Sequence, residues 1–242
     1  MISEFRKQNR LVAVSLTETG ENHIKMGVPN QDAVGFDFMN DDFVLAVSDG
    51  VGSCKKSEYG SRMAVSICID LFKEVNEEKI EQDEKILITE ILKRWKMAFG
   101  NDCNDYCATL QAVMKFGKKA YLISLGDGFV AITSEGMKTI SPDDKRAFTN
   151  ETKCLSKSLE IEDFWTNCFD LDTNLDYTAI ACTDGVSNAI TQGSELDFVE
   201  EIERSVASES LESELKDFMA DISDYSFDDK TLGVVKYEQQ SR

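Results

Sequence analysis

Four aspartates stand at the ends of apolar segments of this chain, where they could do chemistry together. Asp49, Asp127 and Asp184 each follow an apolar stretch and precede a glycine, in FVLAVSDGVGS, AYLISLGDGF and YTAIACTDGVS. Asp228 comes just before an apolar stretch, in SFDDKTLGVV. Strand ends of a common sheet can gather such residues from remote parts of the chain, and gathered carboxylates repel each other unless a cation lies among them. The pattern therefore predicts a metal site built from oxygen ligands.

The residue types narrow the choice of metal. Mg²⁺ and Mn²⁺ prefer carboxylate, carbonyl and water oxygens. The chain has 1 histidine and, in the sequence, no clustered cysteines, which argues against a zinc site with nitrogen or sulfur ligands. Two such ions about 3.5–4 Å apart, bridged by one carboxylate, can position and deprotonate a water for in-line attack on phosphorus. A glycine after a ligating aspartate would allow a sharp turn and let a backbone carbonyl approach the ion.

Two alternatives compete with a shared site. Each Asp-Gly pair can simply mark a turn that ends a strand, and one pair alone favours that interpretation. A fifth acid, Asp32 in PNQDAVGF, also lies at a predicted strand boundary, and the complete set favours a common centre. An EF-hand is a poor alternative, because DLDTNLDYT at 170–178 lacks the glycine at loop position six and the glutamate at position twelve.

The elements that must position these acids come in blocks of strands and blocks of helices. Such blocks, without strict alternation, are typical of α+β folds. We expect a four-layer αββα sandwich with two central, mostly antiparallel sheets, in a single domain spanning 1–242. The polar segment 141–163 is a candidate flap. The predicted strands are 11–17, 33–39, 43–48, 106–115, 119–125, 129–133, 164–171, 177–183 and TLGVVKY, and the predicted helices begin at Ser57, near Ile88, at Ser194 and near Leu211.

Composition excludes several classes of partner. The net charge of −19 over 242 residues argues against binding to nucleic acid or to anionic lipid. No apolar run approaches the ~20 residues of a membrane span, and the polar N-terminus lacks a signal peptide. We therefore expect a cytoplasmic monomer. Of the 7 cysteines, Cys68, Cys168 and Cys182 lie in apolar runs, so the cysteines are interpreted as core residues, with a redox or zinc role as the lesser alternative.

At these segments the chain resembles the metal-dependent protein serine/threonine phosphatases of the type 2C (PPM) family, and most closely a bacterial subgroup. The resemblance extends from about residue 20 to the C-terminus and so covers nearly the whole chain. Each matching segment is short, but their order is specific to the family. The segments are NQDA (30–33), SDGVG (48–52), SEYGSRMAV (57–65), CATL (107–110), LGDG (125–128), FTNETKCLS (148–156), TDGVSNAI (183–190) and DDKTLGVV (228–235).

The resemblance implies a set of ligands for Mn²⁺ or Mg²⁺. Asp49 would bridge two ions, and the carbonyl of Gly50 would bind the second. Asp184 and Asp228 would complete the set of protein ligands of the first ion. The implied reaction is hydrolysis of phosphoserine or phosphothreonine in a phosphorylated protein by a metal-activated water, opposing a serine/threonine kinase.

The resemblance also assigns weaker ligands. At two positions next to the implied ligands, the chain departs from the family. Asp32 would act near the second ion through water, and Asp127, with Asp184, would hold a third, looser ion. Gln31 stands where many members have glutamate, which would weaken binding of the second ion. Asp229 replaces the usual asparagine after Asp228.

A further departure concerns the phosphate. The family's phosphate-binding arginine should fall at Gly27, which has no side chain. His23 and Lys25 are close enough in sequence to replace it as phosphate ligand or as leaving-group acid, with Arg146 as a third candidate. This gap keeps open a pseudophosphatase that binds a phosphorylated partner without turnover. A small-molecule phosphomonoesterase is another alternative.

Overall fold

The computed structural model describes residues 1–142 and 152–239. Strands and helices in these ranges follow each other in blocks, as the sequence predicts. In chain order they are β1 (Ile2–Gln8), β2 (Leu11–Glu18), α1 (Glu21–Met26), β3 (Ala33–Met39), β4 (Asp42–Ser48), α2 (Ser57–Asn76), α3 (Glu84–Phe99), β5 (Leu110–Phe116), β6 (Lys119–Leu125), β7 (Phe129–Ser134), β8 (Met137–Ile140), β9 (Trp165–Asp170), β10 (Tyr177–Cys182), α4 (Asp184–Ser187), α5 (Glu195–Ser205), α6 (Leu211–Ile222) and β11 (Lys230–Tyr237).

The strands form two stacked antiparallel sheets. One has the order β1-β2-β11-β10-β7-β8 and the other β3-β4-β5-β6-β9. Apolar side chains from both sheets fill the space between them, among them Phe43 and Tyr177. Helices α2 and α3 cover the outer face of the five-stranded sheet around Trp95, and α5 and α6 cover the six-stranded sheet around Met219. The predicted four-layer αββα sandwich is confirmed.

The sequence analysis missed two elements near the N-terminus. Strand β1 lies at a sheet edge and none of its residues is buried, so it lacks the alternation of a half-buried strand. Helix α1 also has no buried residue and therefore shows no apolar stripe. The strand predicted at 106–115 begins later, at Leu110, because a 3₁₀ helix occupies Gly100–Asp105 just before it.

The candidate flap at 141–163 is described only in part. Residues 143–151, which include Arg146, lie outside the described residues. The described remainder contains a short 3₁₀ helix at Ile161–Asp163. No helix within 1–142 and 152–239 is both long and apolar enough to cross a membrane.

The register of the six-stranded sheet brings distant strand ends to one edge. Cys182, at the end of β10, lies opposite Phe129 at the start of β7, and the start of β11 lies on its other side. Asp184 follows that end of β10, while Asp127 and Asp228 precede β7 and β11. Three acids that are remote in sequence therefore leave the sheet at the same edge.

The five-stranded sheet does the same for the other two acids. Ala33 at the start of β3 pairs with Ser48 at the end of β4, so Asp32 and Asp49 are adjacent as they leave the sheet. The turn after Asp49 is very tight. A Cβ on Gly50 would lie 2.7 Å from the backbone of Ser57, closer than real contacts allow, so this position requires glycine.

Candidate metal centre

Asp32, which is buried, and Asp49, which is half-buried, lie close enough for the charge of Asp32 to raise the pKa of Asp49. Asp32 is 6% exposed, and its Oδ2 accepts a hydrogen bond of 2.9 Å from Thr183 Oγ1. Burial raises the pKa of Asp32 to about 7. Burial, followed by the charges of Asp32 and Asp184, raises the pKa of Asp49 well above its usual range. Carboxyl groups in this setting must share a proton or a cation.

Asp184 and Asp127 add negative charge to this pair, since both raise the pKa of Asp49. Asp184 is the first residue of α4, and its Oδ2 accepts a hydrogen bond from Asn188 Nδ2 at 3.3 Å. Asp127 lies between β6 and β7, and its Oδ2 accepts from Thr152 Oγ1 at 3.0 Å. Asp32, Asp127 and Asp184 therefore all lie within electrostatic reach of Asp49.

Two carboxylate oxygens in this group are buried without a hydrogen-bond partner among the described residues. They are Oδ1 of Asp32 and Oδ1 of Asp127. A buried oxygen without a partner is costly, and a cation would satisfy it. The residues therefore fit hard divalent ions in donor chemistry. As they stand, however, no three carboxyl, imidazole or thiol groups in 1–142 and 152–239 are arranged to hold an ion.

The fifth aspartate stands apart from this group. Asp228 is exposed, and its Oδ1 accepts a hydrogen bond from the backbone N–H of Asp229 at 2.9 Å. Among the described residues it makes no hydrogen bond to the other four. Asp229 is instead the buried member of the pair, at 2% exposure. The ligand role of Asp228 stays a prediction.

Asp229 connects three segments at the edge of the site. Its Oδ1 accepts from the N–H of Gly20 at 2.7 Å, and its Oδ2 accepts from the N–H of Gln31 at 2.7 Å. Oδ2 also lies 2.8 Å from Nδ1 of His23. An asparagine has only one carbonyl oxygen and could not accept all three bonds. The aspartate at position 229, where the family usually has asparagine, therefore holds the start of α1 and the segment before β3 together.

The candidates for the phosphate role have different surroundings. His23 is 15% exposed and is fixed by Asp229. Lys25 is 64% exposed and forms an ion pair with Glu21 at 2.7 Å. Gly27 ends α1 with φ of 67°, a left-handed conformation that disfavours arginine or any other residue with a side chain. The backbone conformation at position 27 therefore explains why glycine, and not arginine, stands there.

Sequence reasoning missed the threonines that hold the acids in place. Thr109 Oγ1 accepts from the N–H of Asp49 at 2.9 Å, and the N–H of Thr109 donates to the carbonyl of Asp49 at 2.8 Å. Thr183 Oγ1, which donates to Asp32, accepts from the N–H of Thr231 at 3.1 Å. Threonine occurs in the quoted segments CATL, TDGVSNAI and DDKTLGVV, so the available signal was its position near each acid.

A cleft of about 900 Å³ opens beside Asp127. Its wall combines apolar surface from Phe129 and Trp165 with polar groups from Ser187 and Glu195. A cleft with mixed walls next to a charged centre has the character of a ligand site.

Comparisons with known proteins agree with this architecture. Residues 19–220 match the family model described as Protein phosphatase 2C. A structure described as a bacterial serine phosphatase is 18% identical, with a TM-score of 0.71 over 95% of this chain and 99% of that one. RsbX in complex with magnesium is 14% identical, with a TM-score of 0.67 over 98% and 100%.

A third solved structure is the catalytic domain of the serine threonine protein phosphatase PstP in complex with two manganese ions. It is 17% identical, with a TM-score of 0.66 over 94% of this chain and 99% of that one. At these identities the likeness extends to the fold alone. No curated protein matches the chain.

The buried carboxyl pair predicts a pH dependence of stability without metal. The pKa of Asp32 is raised to about 7, so the folded protein keeps a proton that the unfolded chain releases near pH ~4. The stabilisation is complete below about pH 4 and is lost as the pH rises through about 7. In EDTA we expect a lower melting temperature at about pH 8 than at about pH 5.

The control for this measurement is Asp49→Asn, which leaves one carboxyl group in place of two and should flatten the pH dependence. Mn²⁺ should raise the melting temperature of the wild type more at about pH 8 than at about pH 5, because the ion and the proton compete for the same oxygens. Equal pH slopes for the two proteins would contradict the shared proton.

Proposed function

The chain belongs to the protein phosphatase 2C family, and from this membership we propose that it hydrolyses phosphoserine and phosphothreonine in proteins, using two Mn²⁺ or Mg²⁺ ions and a third, looser one. When bound, the ions would polarise the phosphoryl oxygens and lower the pKa of the attacking water. The residues that would hold them are Asp49 at both of the first two ions, Asp184 and Asp228 at the first, the Gly50 carbonyl at the second with Asp32 near it through water, and Asp127 with Asp184 at the third.

The two unpaired oxygens of Asp32 and Asp127 are the observation that carries this proposal. Within the described residues, Asp32, Asp49 and Asp127 form no ion pair with lysine or arginine. Lysine and arginine side chains in the described part of the chain therefore do not neutralise these three carboxylates. External divalent cations would stabilise the carboxylates and at the same time provide the chemistry that phosphate hydrolysis requires.

The backbone and the threonines would keep these ligands in position during turnover. Thr109 holds both the N–H and the carbonyl of Asp49, so the bridging residue has little freedom to move. Thr183 donates a hydrogen bond to Oδ2 of Asp32, so Oδ1, which has no hydrogen-bond partner among the described residues, is the oxygen available to a ligand. Ligands fixed by a second layer of hydrogen bonds bind their ion in one geometry.

His23 is the residue we propose as proton donor to the leaving serine or threonine oxygen. Its Nδ1 lies 2.8 Å from Oδ2 of Asp229, which fixes the orientation of the ring, and Nε2 is the nitrogen that would donate. The side chain is 15% exposed, which suits a group that must meet a substrate. Lys25 points to Glu21 and is the weaker candidate.

We expect Asp49→Asn to lower Mn²⁺-dependent hydrolysis of a phosphoserine peptide by at least about 100-fold, since the variant loses the carboxylate that serves both ions. Circular dichroism and the melting temperature should show that the fold survives. Asp224→Asn, which removes one exposed carboxylate from the segment before β11, is the matched control and should retain activity. Full activity of Asp49→Asn would refute the bridging role.

The departures at Gly27 and Gln31 favour one second candidate, a pseudophosphatase that binds a phosphorylated partner without turnover. It predicts saturable binding of the phosphopeptide by the wild type and no hydrolysis at saturating Mn²⁺. Release of phosphate that depends on Asp49 rules it out. A small-molecule phosphomonoesterase would instead hydrolyse a sugar or nucleotide phosphate faster than the peptide.

The proton-donor role of His23 can be tested by comparing substrates whose leaving groups do and do not need a proton. p-Nitrophenolate departs without a proton, whereas the alkoxide of serine needs one. We expect His23→Ala to lower kcat for the phosphopeptide by on the order of 100-fold and to change kcat for p-nitrophenyl phosphate much less. Equal losses on both substrates would assign His23 a structural role, and a selective loss in Lys25→Ala would move the proton donor to Lys25.

We also infer that the physiological substrate is a phosphorylated protein produced by a serine/threonine kinase, because proteins of this family act on phosphorylated proteins. A cytoplasmic location and a monomeric state stay predictions from composition.

A further inference from the structure

Three cysteines from separate parts of the chain meet beside the candidate metal centre. The thiol of Cys107 is near enough to those of Cys54 and Cys154 for each contact to shift the pKa of the thiols involved. The sequence analysis found no cysteine cluster of the kind that binds zinc, and the described residues contain none. The spacing of the three cysteines along the chain gives no sign of their proximity because loops bring them together.

The backbone explains how the three thiols come together. Ala108 forms antiparallel bridges to Gly50 on one side and to Leu155 on the other. The N–H of Leu155 donates to the carbonyl of Ala108 at 2.8 Å. The segment around Cys107 thus lies between the loop that contains Cys54 and the segment that contains Cys154, and the central thiol can reach both neighbours.

Cys107 and Cys154 differ in reactivity. Cys107 is buried, and its hydrogen bond to Cys154, together with burial, raises its pKa. The same hydrogen bond lowers the pKa of Cys154, which is half-buried and therefore more accessible to a small oxidant. The thiolate is the reactive form, so Cys154 is the expected site of attack and Cys107 the resolving thiol.

We propose that Cys154 and Cys107 are a redox modification site that forms an intramolecular disulfide when the protein meets a peroxide. The Cys154 thiolate attacks one oxygen of hydrogen peroxide, the O–O bond breaks, and with one proton the products are a sulfenic acid and water. The Cys107 sulfur then attacks the sulfenic sulfur, the S–S bond forms, and a second water leaves. Two thiols are oxidised by two electrons, and one peroxide is reduced to two waters.

The site is joined to the metal-binding segment by main-chain hydrogen bonds. The carbonyl of Cys107 accepts from the N–H of Val51 at 3.0 Å, and the N–H of Thr109 donates to the carbonyl of Asp49 at 2.8 Å. A bond between Cys107 and Cys154 would shift the segment that supports both residues. We therefore expect the oxidised protein to need more Mn²⁺ for half-maximal activity, and this consequence alone rests on the proposed function.

The test treats the full-length, pre-reduced protein with hydrogen peroxide and maps the product by mass spectrometry. We expect the loss of two thiols, a mass decrease of about 2 Da for one disulfide, and a peptide that links Cys107 to Cys154. Dithiothreitol should reverse all three changes. Cys154→Ser should abolish the linked peptide, whereas the matched control Cys168→Ser, a half-buried cysteine of β9 outside the cluster, should retain it.

Cys107 is buried, so its replacement risks unfolding the protein. Protection of Cys107 from iodoacetamide in the oxidised wild type serves as the second measurement. A link from Cys54 or Cys103, a link between two chains, or only sulfinic and sulfonic acids would overturn the assignment. Disulfide formation with unchanged Mn²⁺ dependence would keep the modification site and remove its effect on the metal centre.

Discussion

Repulsion among carboxylates that are buried close together is the constraint on which the rest of this structure depends. Asp32 is buried beside the half-buried Asp49, and Asp127 and Asp184 add negative charge to the same region. The fold must hold these groups against their repulsion, and it does so with backbone N–H groups and threonine hydroxyls. A cluster of carboxylates held in this way is suited to divalent ions from solution.

The antiparallel pairing of the strands is what brings these carboxylates together in one site. β10 and β11 run in opposite directions, so the residue after one and the residue before the other reach the same edge of the six-stranded sheet. The pairing of β3 with β4 does the same for Asp32 and Asp49 on the other sheet. The bond between Thr183 and Asp32 then joins the two sheets at that edge. Remote residues are thus positioned by regular structure, which is more rigid than a loop scaffold.

Sequence reasoning located most of the acids because each one ends or begins a buried strand, and a buried strand has a strong apolar signal. It missed β1 and α1 because neither element buries a residue. It named Asp229 only as a replacement, since three hydrogen bonds to one side chain have no signature in the chain itself. The meeting of Cys107 with Cys154 depends on a single bridge between irregular segments, which no periodic pattern reveals.

Anomalous X-ray diffraction at the manganese edge, on crystals grown with Mn²⁺, tests the central claim most directly. The account predicts two strong peaks on either side of the Asp49 carboxylate, with the Gly50 carbonyl beside one of them and Asp184 beside the other. Crystals that show no peak at this edge of the sheets, or peaks bound only by surface carboxylates elsewhere, would contradict it.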